Sequence, residues 1–351
     1  MELINLLNHT SEWLKGTGPN ADIVISSRIR LARNLDKVAF PHWADKKHGK
    51  ETLAAITEKV KKIDSLQGIT VFLLAEMDSV DKQFFVERHL MSLEHAQKTD
   101  NKAVAIDEEE VLSIMINEED HIRMQVMQSG FNLFEAWNIA NRIDDFLNKE
   151  LDIAYSQDWG YLTACPTNTG TGMRGSVMLH LPALVMTRQI DRVLAAIAKL
   201  SFTTRGLYGE GTQASGNFFQ VSNQVSLGHS EEEIIENING LIRQIIEQEN
   251  QARDLLLSRN RAMLEDRVNR SLGILKSARI ISSQETIELL SMIRLGNDLE
   301  ILKEISRRQI NELFILTQPA HLQKIENKKL SSMERDIKRA ELIRKRLNLI
   351  L

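Results

Sequence analysis

The spacing of hydrophobic and polar positions changes near residue 230 of this chain. Before that point, short segments alternate with a period of two, which predicts half-buried strands. The predicted strands cover 23–31, 71–74, 111–116, 122–127, 161–164, 177–181 and 218–221. Helical periodicity separates them at 132–149 and 182–200. The pattern predicts an α+β domain over residues 1–229, with a largely antiparallel sheet flanked by helices.

The second part of the chain has helical periodicity only. Ser230 and Glu233 have the spacing of a capping box, and apolar residues recur at helical spacing from Ile234 to Ile246. Further amphipathic segments cover 286–295, 299–316 and 332–351. Residues 230–351 are therefore predicted to form an all-α C-terminal domain.

Length, composition and charge narrow the class of protein. A chain of 351 residues exceeds the usual single core, which favours two domains, and 42% hydrophobic and 26% charged residues are typical of a soluble protein. A net charge of −4 gives no general attraction to nucleic acid or to a membrane, and we expect neither as a partner. No apolar segment reaches spanning length, and Cys165 is the only cysteine, so we expect a cytoplasmic protein without disulfides.

Candidate chemistry is densest between Cys165 and Met178. Three glycines, at positions 170, 172 and 175, precede or enter a strand predicted from Ser176. Glycines allow a backbone to approach a ligand closely, and the guanidinium of Arg174 matches phosphate oxygens. We interpret the segment as a phosphate-binding loop; an ordinary Gly/Thr turn is the alternative.

Several arginines are predicted on the polar faces of strands. Alternation places Arg28 and Arg30 together, opposite Ile29, and places Arg123 opposite Ile122. A single arginine of this kind is typical of a solvated outer face. A set of five in or beside strands favours a polyphosphate clamp. The set is Arg28, Arg30, Arg123, Arg174 and Arg205.

Carboxylates form a second group of candidates. Glu118, Glu119 and Asp120 are consecutive, and Glu210 lies in a glycine-rich loop. Like charges repel, so such acids either face water or hold a cation. For Glu118 and Asp120 we expect a solvated turn. Glu119 and Glu210 are candidates to bind a cationic acceptor opposite the phosphate clamp.

Four motifs, in the same order along the chain, resemble those of the phosphagen (guanidino) kinases over about residues 20–230. They are Ser26-Ser27-Arg28-Ile29-Arg30, the segment Asn117 to Arg123, the segment Cys165 to Gly175, and Arg205-Gly206 with Glu210 and Asn223. Those enzymes transfer the γ-phosphoryl group of MgATP to a guanidinium nitrogen. The resemblance implies a phosphagen-kinase-like catalytic domain.

The resemblance also implies roles for residues of this chain. Glu119 and Glu210 would bind and deprotonate the guanidinium, and Cys165 would lie beside it. Mg²⁺ would be held through the ATP phosphates, without a metal site in the protein. The implied ATP-binding residues are Ser26, Ser27, Arg28, Ile29, Arg30, His89, Arg123, Arg174, Gly175, Ser176, Val177, Met178, Arg205, Gly206, Leu207, Tyr208 and Gly209.

Cys165 has two interpretations. Among several arginines a thiol favours the thiolate, which would pair with the cationic acceptor in a supporting role. Otherwise Cys165 is a small buried hydrophobic residue. Met178 and Gln220 stand where the family has a second base-contacting histidine and an acid, so the adenine contacts are carried over only in part.

Two further comparisons with the family concern the acceptor and regulation. Members that act on small guanidino compounds carry a helical domain before the first arginine motif, whereas 27 residues precede Arg28 here. We therefore expect an open site that admits an arginine side chain of a protein.

Beyond residue 230 the chain resembles the bacterial protein-arginine kinase subgroup, through Arg335, Asp336 and Arg339 of Arg-Asp-x-x-Arg-Ala. Arg335 and Arg339 are one helical turn apart, which suits an allosteric phosphoarginine site; a basic helix end is the alternative.

The function implied by the subgroup is a protein-arginine kinase. Its substrates would be proteins with accessible arginines, marked for a Clp protease in stress control, and an activator protein and a homo-oligomer are also implied. A kinase for a small guanidino metabolite and an inactive adaptor that reads phosphoarginine remain as alternatives. Retention of the glutamates and arginines disfavours the adaptor.

Overall fold

The computed structural model describes residues 3–63, 68–206 and 215–348. Eight of its strands form one sheet, and two short strands form a hairpin. The strands are β1 Val24–Arg33, β2 Thr70–Leu73, β3 Ala103–Ile106, β4 Leu112–Ile116, β5 Ile122–Ser129, β6 Tyr155–Ser156, β7 Gly160–Tyr161, β8 Met173–His180, β9 Phe202–Arg205 and β10 Phe218–Asn223. The sheet order is β2-β3-β4-β5-β1-β8-β10-β9, and its ladders are antiparallel.

Thirteen α-helices occur among the described residues. They are α1 Leu3–Asn8, α2 Lys46–Val60, α3 Ser79–Glu87, α4 Leu93–Gln97, α5 Leu133–Glu150, α6 Pro182–Met186, α7 Ile190–Lys199, α8 Glu231–Arg259, α9 Arg261–Ser277, α10 Ser283–Asp298, α11 Arg307–Leu316, α12 Pro319–Ile325 and α13 Ser332–Asn348. The α+β sheet with flanking helices and the helical C-terminal region confirm the predicted fold class.

One face of the sheet forms the hydrophobic core. Ile29 and Leu31 of β1 are fully or almost fully buried, helix α5 packs on β1 and β5, and helix α8 packs on β8. A salt bridge of 2.8 Å between Arg33 and Asp144 joins β1 to α5 on this face. Because neighbouring residues of a strand point to opposite faces, Arg28 and Arg30 of β1 face away from these helices.

Several predicted boundaries were wrong, and backbone conformation explains two of them. Residues 182–200 form two helices, because Arg188 has a φ of 59° between α6 and α7. The segment predicted as a helix from residue 299 becomes helical only at Arg307, after Glu300 with a φ of 58°. Of the strand predicted at 161–164, only the first residue is in a strand. Helix α2 and the edge strand β9 were not predicted.

The predicted division after residue 229 does not coincide with a break in the core. Helix α8 begins at Glu231 with the predicted capping box, but its Ile238 lies directly beneath Gly175 of β8. One hydrophobic cluster continues from the sheet through α8 to Ile343 of α13. The C-terminal helices are therefore attached to the sheet by apolar contact. Within the described part of the chain, no helix is long and apolar enough to cross a membrane.

Candidate active site

The register of the sheet brings the predicted arginines to one face. Arg30 lies directly opposite Arg174 of β8, and on its other side it lies opposite Gln125 of β5. Directly opposed residues project from the same face of a sheet. Arg28, Arg30, Arg123, Arg174 and Arg205 line one cleft with a volume of about 1590 Å³. This placement is consistent with the prediction that these five side chains form one group. Strand β8 begins at Met173, earlier than predicted, so Arg174 lies within the strand and not before it.

Arg28 and Arg30 of this cluster lie in surroundings that disfavour their positive charges. Burial, and then the charges of Arg174 and its neighbours, lowers the pKa of Arg28 to about 10. The same causes, with Arg28 as the largest charge, lower the pKa of Arg30 well below its ordinary value. Among the described residues, Nε and Nη2 of Arg30 are buried without a hydrogen-bond partner. Buried cations with unused donors are costly unless an anion is present, so the cluster fits a polyphosphate.

Neutral side chains orient the guanidinium groups of Arg28 and Arg174. Arg28 donates through Nη2 to Oε1 of Gln220 at 2.8 Å. Arg174 donates through Nη2 to the hydroxyls of Thr203 and Ser222, both at 3.1 Å. These contacts with uncharged groups hold the two guanidinium groups in place, which preorganises an anion site. Alternation along β9 and β10 would have placed Thr203 and Ser222 on the same faces as Arg205 and Gln220, but the sequence analysis did not select them.

The acidic turn after β4 is not a solvated turn. Glu118 is 5% exposed and pairs with Nη1 of Arg123 at 2.5 Å, and it accepts a hydrogen bond from Ser92 at 2.7 Å. Burial alone would raise the pKa of Glu118, but the charge and hydrogen bonds of Arg123 outweigh burial and lower it to about 2. The expectation for Glu118 was wrong because its cation, Arg123, comes from the next strand.

Asp120 contradicts the same expectation. Its carboxylate is fully buried and accepts from Nδ2 of Asn34 at 2.6 Å and from the amide of Ala164 at 2.7 Å. Asp120 thereby joins the end of β1 to the segment that leads into Cys165. Both of its partners lie far away in the sequence, so the short acidic run gave no sign of this role.

Glu119 differs from its two neighbours. Its side chain is 42% exposed, lines the cleft and lies 3.5 Å from Nη1 of Arg123. Partial burial raises the pKa of Glu119 against the opposing charge of Arg123, and the charges of Asp120 and Glu118 raise it further. A cleft-facing carboxylate with a raised pKa is suited to accept a proton.

Cys165 lines the same cleft as Glu119 and the arginines. Its side chain is partly exposed, with Sγ 3.0 Å from the hydroxyl of Thr167. The interpretation of Cys165 as a buried hydrophobic residue is therefore wrong. Thr163 fixes the backbone here by donating to the carbonyl of Cys165 at 2.7 Å.

His89 also borders the cleft, after α3, where its φ is 59°. Burial and the nearby charge of Arg28 lower the pKa of His89 to about 3, so the ring is neutral near pH 7. The ring packs edge-on against Trp13 with centroids 5.3 Å apart, a partner that the sequence analysis missed. Both rings border a cavity of about 20 Å³ together with Ser26, Ser176 and Met178.

The glycines of the 165–178 segment make room for the protein itself. A Cβ on Gly170 would lie 2.8 Å from the backbone of Leu227, and one on Gly172 would lie 2.7 Å from the carbonyl of Ala32. A Cβ on Gly175 would lie 2.6 Å from Cδ1 of Ile238, on the core side of the sheet. Packing within the protein thus accounts for all three glycines, and the interpretation of the segment as a phosphate-binding loop stays a prediction.

Some implied ATP-binding residues face away from the cleft. Ile29, Gly175 and Val177 have the parity of the core face, and Ser27 bonds to Gly130 on that side. These four residues could contact a ligand in the cleft only through their backbone groups. Gly206 is buried directly after Arg205. Leu207, Tyr208, Gly209 and Glu210 lie outside the described residues, so their roles stay predictions.

The C-terminal motif does not present two open guanidinium groups. Arg339 is 1% exposed and donates to the carbonyls of Thr317 and Ile281, both at 2.8 Å, besides pairing with Asp336. Arg335 is partly exposed and donates to the carbonyl of Leu330 at 3.1 Å. Two nitrogens of Arg339 thus bind protein carbonyls that are remote in the sequence, and the prediction that Arg335 and Arg339 together hold phosphoarginine stays a prediction.

Within residues 3–63, 68–206 and 215–348, no group of three or more His, Cys, Asp or Glu side chains could hold a metal ion. The prediction that Mg²⁺ is held through the ATP phosphates stays a prediction.

Comparisons with protein families agree with this geometry. Residues 51–252 match the family ATP:guanido phosphotransferase, C-terminal catalytic domain, and residues 261–350 match the protein-arginine kinase McsB C-terminal domain. A protein-arginine kinase from Halothermothrix orenii is 50% identical over 99% of this chain and 100% of its own length. One from Bacillus licheniformis is 49% identical over 97% of this chain and 94% of its own length.

Solved structures share the architecture. The duplicated taurocyamine kinase from Schistosoma mansoni, with bound transition state analog components, matches with a TM-score of 0.62 and 26% identity, over 67% of this chain and 34% of that longer chain. A lombricine kinase matches with a TM-score of 0.60 and 24% identity, over 69% of this chain and 71% of its own, and supports the fold alone.

Proposed function

This chain belongs to the protein-arginine kinases of the ATP:guanido phosphotransferase family, and we propose that it transfers the γ-phosphoryl group of MgATP to the guanidinium of arginine side chains in proteins. The observation that carries the proposal is the single cleft that holds five arginines, Glu119 and Cys165. Anion and cation sites side by side are what a reaction between a polyphosphate and a guanidinium requires.

The residues of the cleft suggest separate roles for the carboxylates, which face the acceptor, and for the arginines, which face the phosphates. Because a guanidinium has a pKa above ~12, it is a weak nucleophile unless a base removes a proton as the bond to phosphorus forms. Glu119, with Glu210, would align the guanidinium and take that proton, while the N–P bond forms and the bond from phosphorus to the ADP oxygen breaks. The arginine cluster would hold the phosphate oxygens, and bound Mg²⁺ would supply further charge neutralisation.

The size of the cleft favours a protein acceptor over a small one. Sites for small ligands enclose about 300–1,000 Å³. The cleft here reaches about 1590 Å³, which leaves space beyond a nucleotide for a side chain that is still attached to a polypeptide. Kinase activity towards a small guanidino metabolite is the second candidate.

We expect an arginine in an unstructured protein segment to be phosphorylated with a higher kcat/KM than free arginine or creatine. The enzyme would be incubated with MgATP and an arginine-rich protein, and phosphoarginine detected by mass spectrometry under non-acidic conditions, because N–P bonds are acid-labile. A higher kcat/KM for any free guanidino compound would support the metabolite kinase instead, and absence of any phosphorylated arginine would contradict both.

Regulation by phosphoarginine is proposed for the motif Arg335, Asp336 and Arg339. Buried hydrogen bonds that connect this motif to the active-site cleft support the proposal. The carbonyl of Thr317 accepts from Arg339, and the next two residues, Gln318 and Pro319, line the active-site cleft. Arg339 of the motif is therefore hydrogen-bonded to the residue that directly precedes two cleft-lining residues.

Hydrogen bonds at the start of α12 extend the connection from Arg339 to the part of the cleft near His89, where the nucleotide is expected. The amides of Ala320 and His321 donate to the carboxylate of Glu87 at 2.9 and 3.1 Å. Glu87 ends α3 and lies two residues before His89. A ligand that shifts Arg339 would thus act on both walls of the cleft, provided that it favours one of two states.

Variants of the motif should separate ligand binding from structural support. We expect Arg335→Ala to weaken binding of free phosphoarginine at least about tenfold, with an unchanged Tm, because Arg335 is exposed enough to offer donors. Arg339→Ala should lower stability by about 1–3 kcal/mol, because buried carbonyls lose their donor. Asp336→Ala should also weaken phosphoarginine binding. Calorimetry and thermal unfolding measure both effects, and unchanged binding in the Arg335 and Asp336 variants would contradict the regulatory site.

Further proposals rest on the subgroup resemblance alone. We propose a cytoplasmic homo-oligomer that works with an activator protein and delivers marked proteins to a Clp protease in stress control. Degradation of one client by a purified Clp protease, with and without prior phosphorylation, tests the central proposal. Equal rates for both forms would argue against it.

A further inference from the structure

The rim of the cleft beside Glu119 carries an exposed tryptophan. Trp43 is 80% exposed, the highest value for any large hydrophobic side chain among the described residues. Its neighbours on both sides, His42 and Ala44, line the same cleft as Glu119. The backbone of Trp43 therefore lies at the rim of the cleft, and its indole makes no contribution to the core.

The segment that carries Trp43 is fixed relative to Glu119. His121, two residues after Glu119, accepts at Nδ1 from the amide of Leu35 at 3.1 Å and donates through Nε2 to the carbonyl of Ala39 at 3.0 Å. Burial lowers the pKa of His121, which agrees with the neutral ring that this pair of bonds requires. One imidazole thus ties the start of the segment to the strand that follows Glu119.

The tip of the segment is a turn supported by stacked rings. The amides of Trp43 and Ala44 both donate to the carbonyl of Phe40, at 2.8 and 3.0 Å. The rings of Phe40 and His42 are stacked with centroids 6.2 Å apart, and His42 meets Trp43 edge-on at 5.9 Å. A partly immobilised indole loses little side-chain entropy when a partner covers it, and tryptophan is enriched among the residues that dominate binding.

We propose that Trp43, with His42 and Pro41, is the docking surface for the polypeptide next to the acceptor arginine, and that it takes an apolar side chain of an extended segment. An arginine whose guanidinium reaches Glu119 leaves its own backbone at the rim of the cleft. In an extended segment the side chains two residues before and after the arginine point to the same side as the arginine. One of these side chains meets the rim, where Trp43 offers an apolar surface. The inference rests on the proposed function and names the substrate feature that the enzyme selects.

Trp43→Ala tests the docking surface on the full-length enzyme. With a peptide that carries leucine two residues from its only arginine, we expect KM to rise about tenfold while kcat and the KM for ATP stay within twofold, because the indole binds the segment and takes no part in chemistry. With serine in place of the leucine, wild type and variant should differ less than twofold. A tryptophan so exposed leaves the Tm unchanged when it is removed.

Phe134→Ala is the matched control. Phe134 is 50% exposed and lies near the start of α5, on the core side of the sheet and away from the cleft. Its removal should leave both peptides unaffected. Equal KM values of wild type and Trp43→Ala for the leucine peptide would overturn the docking surface alone. If the wild type phosphorylated neither peptide, the proposed function itself would fail, so the two failures are distinguishable.

Discussion

Replacement of Glu119 by alanine is expected to slow protein-arginine phosphorylation at least about a hundredfold, because general-base catalysis contributes about 10²–10⁴-fold. MgATP affinity should stay within a few-fold. The carboxylate faces the cleft, 3.5 Å from Arg123, whereas its neighbour Glu118 already neutralises that arginine. Loss of Glu119 therefore removes the base and a partner of the acceptor guanidinium, but leaves Arg123 paired.

Steady-state phosphorylation rates and calorimetry with MgATP measure the two effects. Glu119→Gln keeps the shape and removes the charge, so it should be nearly as slow as the alanine variant. Glu135→Ala, at an exposed position in the first turn of α5, is the control for loss of a surface carboxylate. A Glu119→Ala variant with more than about a tenth of the wild-type rate, a barrier change below ~1.4 kcal/mol, would remove Glu119 from the mechanism. Glu210→Ala should behave in the same way.

Arg30→Met is expected to lower MgATP affinity at least about a hundredfold, because each hydrogen bond to a charged group is worth about 1.5–3 kcal/mol. Nε and Nη2 of Arg30 are buried without partners among the described residues, and Arg174 lies directly opposite. An anion is the ligand that would use both donors. The same substitution should raise the Tm of the nucleotide-free protein, because it removes a half-buried positive charge that burial and neighbouring charges disfavour.

A nucleotide-binding role predicts that Arg30→Met lowers MgATP affinity and raises the Tm, whereas a structural role predicts a lower Tm with normal affinity. Calorimetry with MgATP and thermal unfolding without nucleotide would be measured on the same preparation. Arg142→Met, at an exposed position of α5, controls for loss of a positive charge elsewhere and should change neither value. An Arg30→Met protein that unfolds at a lower temperature and binds MgATP normally would assign Arg30 to structure and not to the nucleotide.

Sequence reasoning located most of the described site because its residues lie in strands. The direction of a side chain in a strand depends only on its position in the alternation, so Arg28, Arg30 and Arg123 could be assigned to polar faces before any contact was known. Local sequence gave the wrong expectation for Glu118 and Asp120, and it gave no sign that Arg339 is buried. Each is an ionic side chain whose burial depends on partners elsewhere in the chain, and sequence composition predicts a solvated position for such groups.

The sequence by itself determined the α+β class, the helical second part, the family motifs and the face on which each strand arginine lies, because these depend on local periodicity and residue identity. Only the tertiary structure decided that β1 lies between β5 and β8, which places Arg30 between Gln125 and Arg174. It also buried Asp120 against Asn34, and Arg339 against Thr317. These outcomes depend on contacts between distant segments, and the free energy of burying a charge is set by the partners that the fold brings to it.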